Sequence, residues 1–281
     1  MKMRLICFSF LVATWLCTQA AFAGTTSTVN ITSSGQQRQF IAYVPDSYDA
    51  STPTPLLFMM HGLTSSAAEA ANPNGRYRWQ DLADQENFIV LFPNSYQDDS
   101  WDMNSADANF VRDMITWAID NYNIRTTHIF TTGHSMGGFF SYFIATQLRN
   151  DTNKVTAFAE FAGGLVAGFW PTPVPGSNPE LKGLLLHSSG DSIVPYATSV
   201  ALNNAMLNAG HSPELLTLRS SLDHNWDRSY NQTQWDFFMA SAPEIEPDPV
   251  PVPAMTPVGI LSLVALCIGF GVLELTMRRK M

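Results

Sequence analysis

Six short apolar runs, each closing on glycine, proline or a polar turn, constrain this chain more than any other feature. They lie at residues 56–60, 88–92, 128–132, 155–161, 184–186 and 215–218. Runs of this length without regular polar alternation suit strands covered on both faces, the situation of a parallel sheet flanked by helices. Helical spacing fills the gaps. Beyond Asp107, a candidate N-cap, Phe110, Val111, Met114, Ala118 and Tyr122 recur every three or four residues. Residues 136–148, 197–207 and 234–239 read the same way. An opening hairpin is expected from residues 28–32 and 39–44 around Ser34-Gly35. Residues 170–179, with four prolines, read as an irregular loop. Strands alternating with helices predict an α/β fold with a mostly parallel central sheet and helices on both faces.

The two ends read differently. Lys2 and Arg4, the apolar stretch 5–16 and Ala21-Phe22-Ala23 form the three parts of a secretory signal over residues 1–23. At the other end, residues 243–257 hold six prolines and three acids, a semi-rigid spacer. Residues 258–277 follow as a transmembrane or sorting helix, and 278–281 as a basic tail expected to stay cytoplasmic. A buried core helix would not normally end a chain on Arg278, Arg279 and Lys280. Spacer, apolar segment and basic end together resemble a sorting signal of the PEP-CTERM type, which implies a sorting enzyme or the membrane as partner. The expected catalytic domain is then 24–242, exported to the outside or the cell surface and attached to a membrane at least transiently. Over residues 24–257 the net charge is −13, against −9 for all 281 residues. That balance argues against nucleic acid as partner. Cys7, Cys17 and Cys267 all lie in the end segments, so no disulfide is expected in the domain.

Gly133-His134-Ser135-Met136-Gly137 is the one G-x-S-x-G in the chain, with an apolar strand entering it and a helix leaving it. Such a turn forces the serine hydroxyl outward, where it can meet a substrate carbonyl, and needs small residues where strand and helix backbones meet. A serine attacks only if a histidine takes its proton, and the histidine needs an acid to hold its tautomer. In chain order serine, acid, histidine, His224 is favoured over His187 and His211. His187 precedes the acid and is expected to line the site, and His211 reads as a surface turn residue. Asp191, directly after the strand ending at His187-Ser188, is favoured over Asp223, Asp227 and Asp236, which read as surface or cap residues. The tetrahedral oxyanion requires two backbone N–H donors. Met136, after the nucleophile, and Leu63, in the loop after an early strand, are the expected ones.

The middle of the chain resembles the secreted polyhydroxybutyrate depolymerase and feruloyl esterase family of α/β-hydrolases. Matching pieces are Tyr43-Val44-Pro45, residues 57–62, Phe88-Ile89-Val90 with Pro93, and Trp101-Asp102. They continue through residues 110–124, the 133–138 turn, Gly190-Asp191 with Val194-Pro195-Tyr196, and His224-Asn225-Trp226. The resemblance implies an α/β-hydrolase fold and a serine esterase with Ser135, Asp191 and His224 as triad. Its substrate would be a polyester, hydroxycinnamoyl or acetyl ester, with no cofactor. Members commonly carry glycine before the histidine, where Asp223 stands here. Trp101, Trp226 and His134 are candidate substrate-binding residues. A peptidase of the same fold, or a surface binding protein that has lost catalysis, are the alternatives. No H-E-x-x-H spacing supports a metal hydrolase.

Overall fold

The computed structural model describes residues 24–96, 99–166 and 173–243. The chain divides into two units, Met1–Pro243 and Glu244–Met281, of which the second lies wholly outside the described residues. The expected signal segment, apolar helix and basic tail therefore all fall outside them. Among the described residues no helix is long and apolar enough to cross a membrane.

Eight strands form one sheet in the order β1-β2-β4-β3-β5-β6-β7-β8. β1 (Thr25–Ser33) and β2 (Gln36–Val44) make the antiparallel hairpin, turning at Ser34 and Gly35, both with positive φ. β2 joins β4 (Ile89–Pro93) antiparallel. From there β3 (Thr54–Met60), β5 (Ile124–His134), β6 (Ala157–Phe161), β7 (Lys182–Ser188) and β8 (Glu214–Leu218) run parallel. The chain has the α/β-hydrolase fold.

The continuous apolar runs follow from burial on both faces. In β3, Leu56, Phe58 and Met60 enter one core while Leu57 and Met59 enter the other, as a two-residue period requires. The first core packs the sheet under α3 (Ser105–Asn121), α4 (Met136–Leu148) and α5 (Ala197–Asn208). The second packs it under α1 (Ala67–Ala70), α2 (Trp79–Glu86) and α6 (Asn231–Ser241). Here Phe88 stacks on Trp235 and Phe130 on Phe238.

Helix α3 begins before the residue expected to cap it. Asn104 is the N-cap, its side chain accepting from the Ala106 N–H at 2.8 Å. Asp107 instead turns inward, fully buried, and pairs with Arg38 of β2 at 2.7 Å. It also accepts from the Tyr96 and Asp102 N–H groups, so one carboxylate ties the hairpin, α3 and the intervening loop together. α1 and α2 have no counterpart among the sequence expectations. α2 has only eight residues, and Trp79, Gln80, Leu82 and Ala83 become its buried face against the second core.

Candidate active site

Ser135 stands between β5 and α4 with φ +56° and ψ −121°. A side-chain-bearing residue rarely adopts this backbone, which is held by the Ser135 N–H donating to the Phe161 carbonyl at 2.8 Å. The glycines around it are a packing necessity. A Cβ on Gly133 would collide with the Gly137 carbonyl, and one on Gly137 with the Met60 and His61 carbonyls. The loop after β3 passes close alongside: a Cβ on Gly62 would lie 3.7 Å from that of Ser135. This brings Leu63 and Met136, the expected oxyanion donors, to the wall of one cavity with Ser135.

Asp191 sits three residues beyond β7 with its carboxylate fully buried. Oδ1 accepts from the Ile193 and Val194 N–H groups at 2.9 and 2.8 Å. Oδ2 lies 2.6 Å from His224 Nδ1 and 3.2 Å from His187 Nε2. Burial opposes ionisation of Asp191, but the His224 hydrogen bond and the two N–H donors outweigh it and hold the carboxyl below the usual range. The rival acids are engaged elsewhere. Asp227 pairs with Arg219 and accepts from Ser229, while Asp236 accepts from Gln232.

Asp223, the residue before His224, has φ +53°. Its Oδ1 accepts from the Ser192 N–H at 2.8 Å, joining the loop that carries His224 to the loop that carries Asp191. A glycine would suit this backbone without strain but could not make that tie.

His187 lines neither cavity beside Ser135. It is fully buried behind Asp191, because β7 is covered by α5 at that point. His211 is likewise not a surface residue. It is buried, with Nδ1 accepting from the Leu181 N–H and Nε2 donating to the Pro175 carbonyl, and so anchors the loop before β7. His61 is buried as well: Ser95 N–H donates to its Nε2, and its carbonyl accepts from the Trp101 indole.

Two cavities flank Ser135. The larger, about 580 Å³, is walled mainly by apolar groups including Trp101, Phe139, Val166, Ile193 and Pro195. The Trp101 ring stacks on Phe140 at 4.2 Å, which fixes its orientation. The smaller, about 220 Å³, is polar, with Thr64, Ser65, Glu69, Arg76, Tyr77, His134 and His224 around Ser135. His134 is held neutral, its pKa brought down to about 3 by burial and then by repulsion from His224, whose ring lies 4.9 Å away. Trp226 packs among Phe161, Tyr77 and Trp79 below the site, and the residues lining the two cavities do not include it. Glu69, Arg76 and Tyr77 carry no sequence motif; only their approach to the serine turn makes them part of the site.

A strained serine at a strand-to-helix turn, beside a histidine bonded to a buried carboxylate, on a mostly parallel sheet, is the arrangement of the serine hydrolases of the α/β-hydrolase class. A model of the Esterase family ("Putative esterase") matches residues 31–208, and the chain belongs to that family. Among curated proteins it is 32% identical to a bifunctional acetylxylan esterase/xylanase of Neocallimastix patriciarum, over 48% of this chain and 19% of the relative. It is 24% identical to a "Probable feruloyl esterase C" of Aspergillus niger, over 73% of this chain and 72% of that one. The chain thus spans about a fifth of the bifunctional enzyme. Among solved structures, the feruloyl esterase module of Clostridium thermocellum complexed with sinapinate superposes with TM-score 0.63 at 16% identity, covering 79% of this chain and 90% of that one. A ferulic acid esterase of Anaeromyces mucronatus in complex with ferulic acid gives 0.61 at 15% identity, covering 79% and 92%.

Proposed function

We propose that this chain is an exported esterase in which Ser135, His224 and Asp191 act as nucleophile, base and acid on a hydroxycinnamoyl or related ester of a polyhydroxylated alcohol. The 2.6 Å contact of His224 Nδ1 with buried Asp191, on a cavity shared with Ser135, carries this reading. His224 takes the Ser135 proton as the hydroxyl oxygen attacks the ester carbonyl, and Asp191 stabilises the resulting imidazolium. The Leu63 and Met136 amides hold the oxyanion. His224 then gives its proton to the leaving alcohol, and water releases the acid from the acyl-enzyme by the same steps in reverse roles.

The character of the two cavities suits the two halves of such a substrate. An apolar space of about 580 Å³ walled by Trp101 suits a planar aromatic acyl group, whereas the polar one suits hydroxyls of the departing alcohol. The names of the feruloyl and acetylxylan esterase relatives agree with this choice over a polyester such as polyhydroxybutyrate. Export, and attachment through residues 258–281 to a membrane or a sorting enzyme, rest on the sequence pattern of the two ends. Turnover of methyl ferulate, acetylated xylan and 3-hydroxybutyrate oligomers tests the specificity. Ser135→Ala is expected to lower kcat on the preferred ester at least about a thousandfold, and full turnover by that variant would refute the assignment.

A further inference from the structure

A second buried polar chain runs behind the catalytic acid, and the esterase chemistry does not use it directly. Glu160, in the middle of apolar β6, is fully buried. Its Oε2 accepts from the Gly163 N–H at 2.6 Å, and Oε1 lies 2.5 Å from Ser199 Oγ in α5. Ser199 Oγ lies 2.7 Å from His187 Nδ1. On the far side of that ring, Nε2 faces the Val194 carbonyl at 2.9 Å and Asp191 Oδ2 at 3.2 Å.

Counting protons limits what these groups can be. Both neighbours of His187 Nε2 are acceptors, so Nε2 carries a hydrogen. If the imidazole is neutral, Nδ1 is bare and must accept from the Ser199 hydroxyl. The Ser199 oxygen then needs its own donor, and among the described residues a protonated Glu160 carboxyl is the one that supplies it. The alternative is an imidazolium donating to Ser199, which donates to ionised Glu160. Either arrangement leaves the three groups with zero net charge, and removing one proton leaves two acceptors facing each other in the interior.

The arrangements differ for Asp191. An imidazolium at His187 would place a full positive charge on the carboxylate that must stabilise His224 as it becomes positive. A neutral His187 donates one hydrogen bond and leaves the carboxylate charge for His224. We propose that Glu160, held as the neutral acid, fixes His187 through Ser199 as the Nε2–H tautomer, and that this relay positions Asp191. Burial pushes Glu160 up to about 7 and His187 down, in agreement. The other titratable groups facing the relay are His224, beyond Asp191, and Tyr196, whose ring centre lies 5.8 Å from that of His187.

The proposal rests on Asp191 being the triad acid, so its test has one arm that needs no activity. Nitrogen-15 NMR of the histidine rings in the parent protein at pH 6 is expected to show His187 neutral with its hydrogen on Nε2; an imidazolium or the Nδ1–H tautomer would overturn the relay. The kinetic arm compares Glu160→Leu, Ser199→Ala and Glu160→Gln, each checked for folding by thermal unfolding. The first two are expected to lower kcat roughly tenfold with KM unchanged. Glu160→Gln is expected to stay within about twofold of the parent, because the amide N–H donates to Ser199 while its oxygen still accepts from Gly163. If Glu160→Gln falls as far as Glu160→Leu, a donor at this position is not what the site needs.

Discussion

The backbone of Ser135 is costly, about 1–3 kcal/mol for a side-chain-bearing residue at φ +56°. Glycine would adopt the same angles freely, at some cost in unfolded-chain entropy. Ser135→Gly is therefore expected to raise stability by about 1 kcal/mol while abolishing hydrolysis, read from the melting temperature and an ester assay. Unchanged or lower stability would mean that the turn stores no strain. Glu160 allows a second prediction at this scale. Its pKa is raised from the usual 4.5 to about 7, so between those values the fold keeps a proton that the unfolded chain has lost. Stability then falls as pH rises through that window and levels off above it. His187 works in the opposite sense, since its lowered pKa leaves the unfolded chain with the extra proton below about 6.5. Comparing Glu160→Gln with the parent removes the His187 contribution. The variant is expected to gain on the parent by on the order of 3 kcal/mol between pH 4.5 and 7. Urea unfolding of both proteins at pH 5 and pH 8 measures it, and a difference that does not change with pH would contradict the assignment of a neutral Glu160.

Among the elements, the junction of β2, α3 and the loop between β4 and α3 depends on one ion pair. Arg38 and Asp107 are nearly inaccessible, and the guanidinium also lies 4.0 Å above the Phe110 ring. A buried pair contributes little compared with an apolar substitute, but breaking it strands a charge. Asp107→Ala is expected to cost about 3–5 kcal/mol in denaturant unfolding. It should also loosen the segment holding Trp101, because the Tyr96 and Asp102 N–H groups lose their acceptor. The Tyr96 and Asp102 N–H groups bond different oxygens of Asp107, so Asp107→Asn keeps one of the two acceptor contacts and should fall between parent and alanine. Equal losses for both variants would show that the charge alone matters.

Across the whole unit, loops from the carboxyl ends of β3 to β8 converge at one end of the sheet. They build an apolar and a polar space on either side of the same serine. Arg76 is half-exposed, paired with half-exposed Glu69 at 3.2 Å, and can turn to an incoming hydroxyl at little cost. Arg76→Ala is expected to raise KM for a feruloylated sugar about three- to tenfold while leaving methyl ferulate within about twofold, because only the former reaches the polar space. Equal effects on both esters would remove the alcohol from that cavity.

Sequence by itself determined the strand order in the chain, the hairpin and the serine turn, because each is a local matter. Burial on both faces demands unbroken apolar runs, and the sharp turn demands glycines next to Ser135. It also pointed to His224 and Asp191 through their chain order and their place after strands. Only the tertiary structure decided which carboxylate meets His224, since Asp191 and His224 are 33 residues apart and come together through the pairing of β7 with β8. The same holds for Asp107, which local spacing makes a helix cap and Arg38 makes a buried anchor, and for His187 and His211, whose surroundings come from α5 and the loop before β7. Residues such as Glu160 and Arg76 carry no local signal at all. Their roles arise from distances across the fold, and backbone periodicity does not encode those.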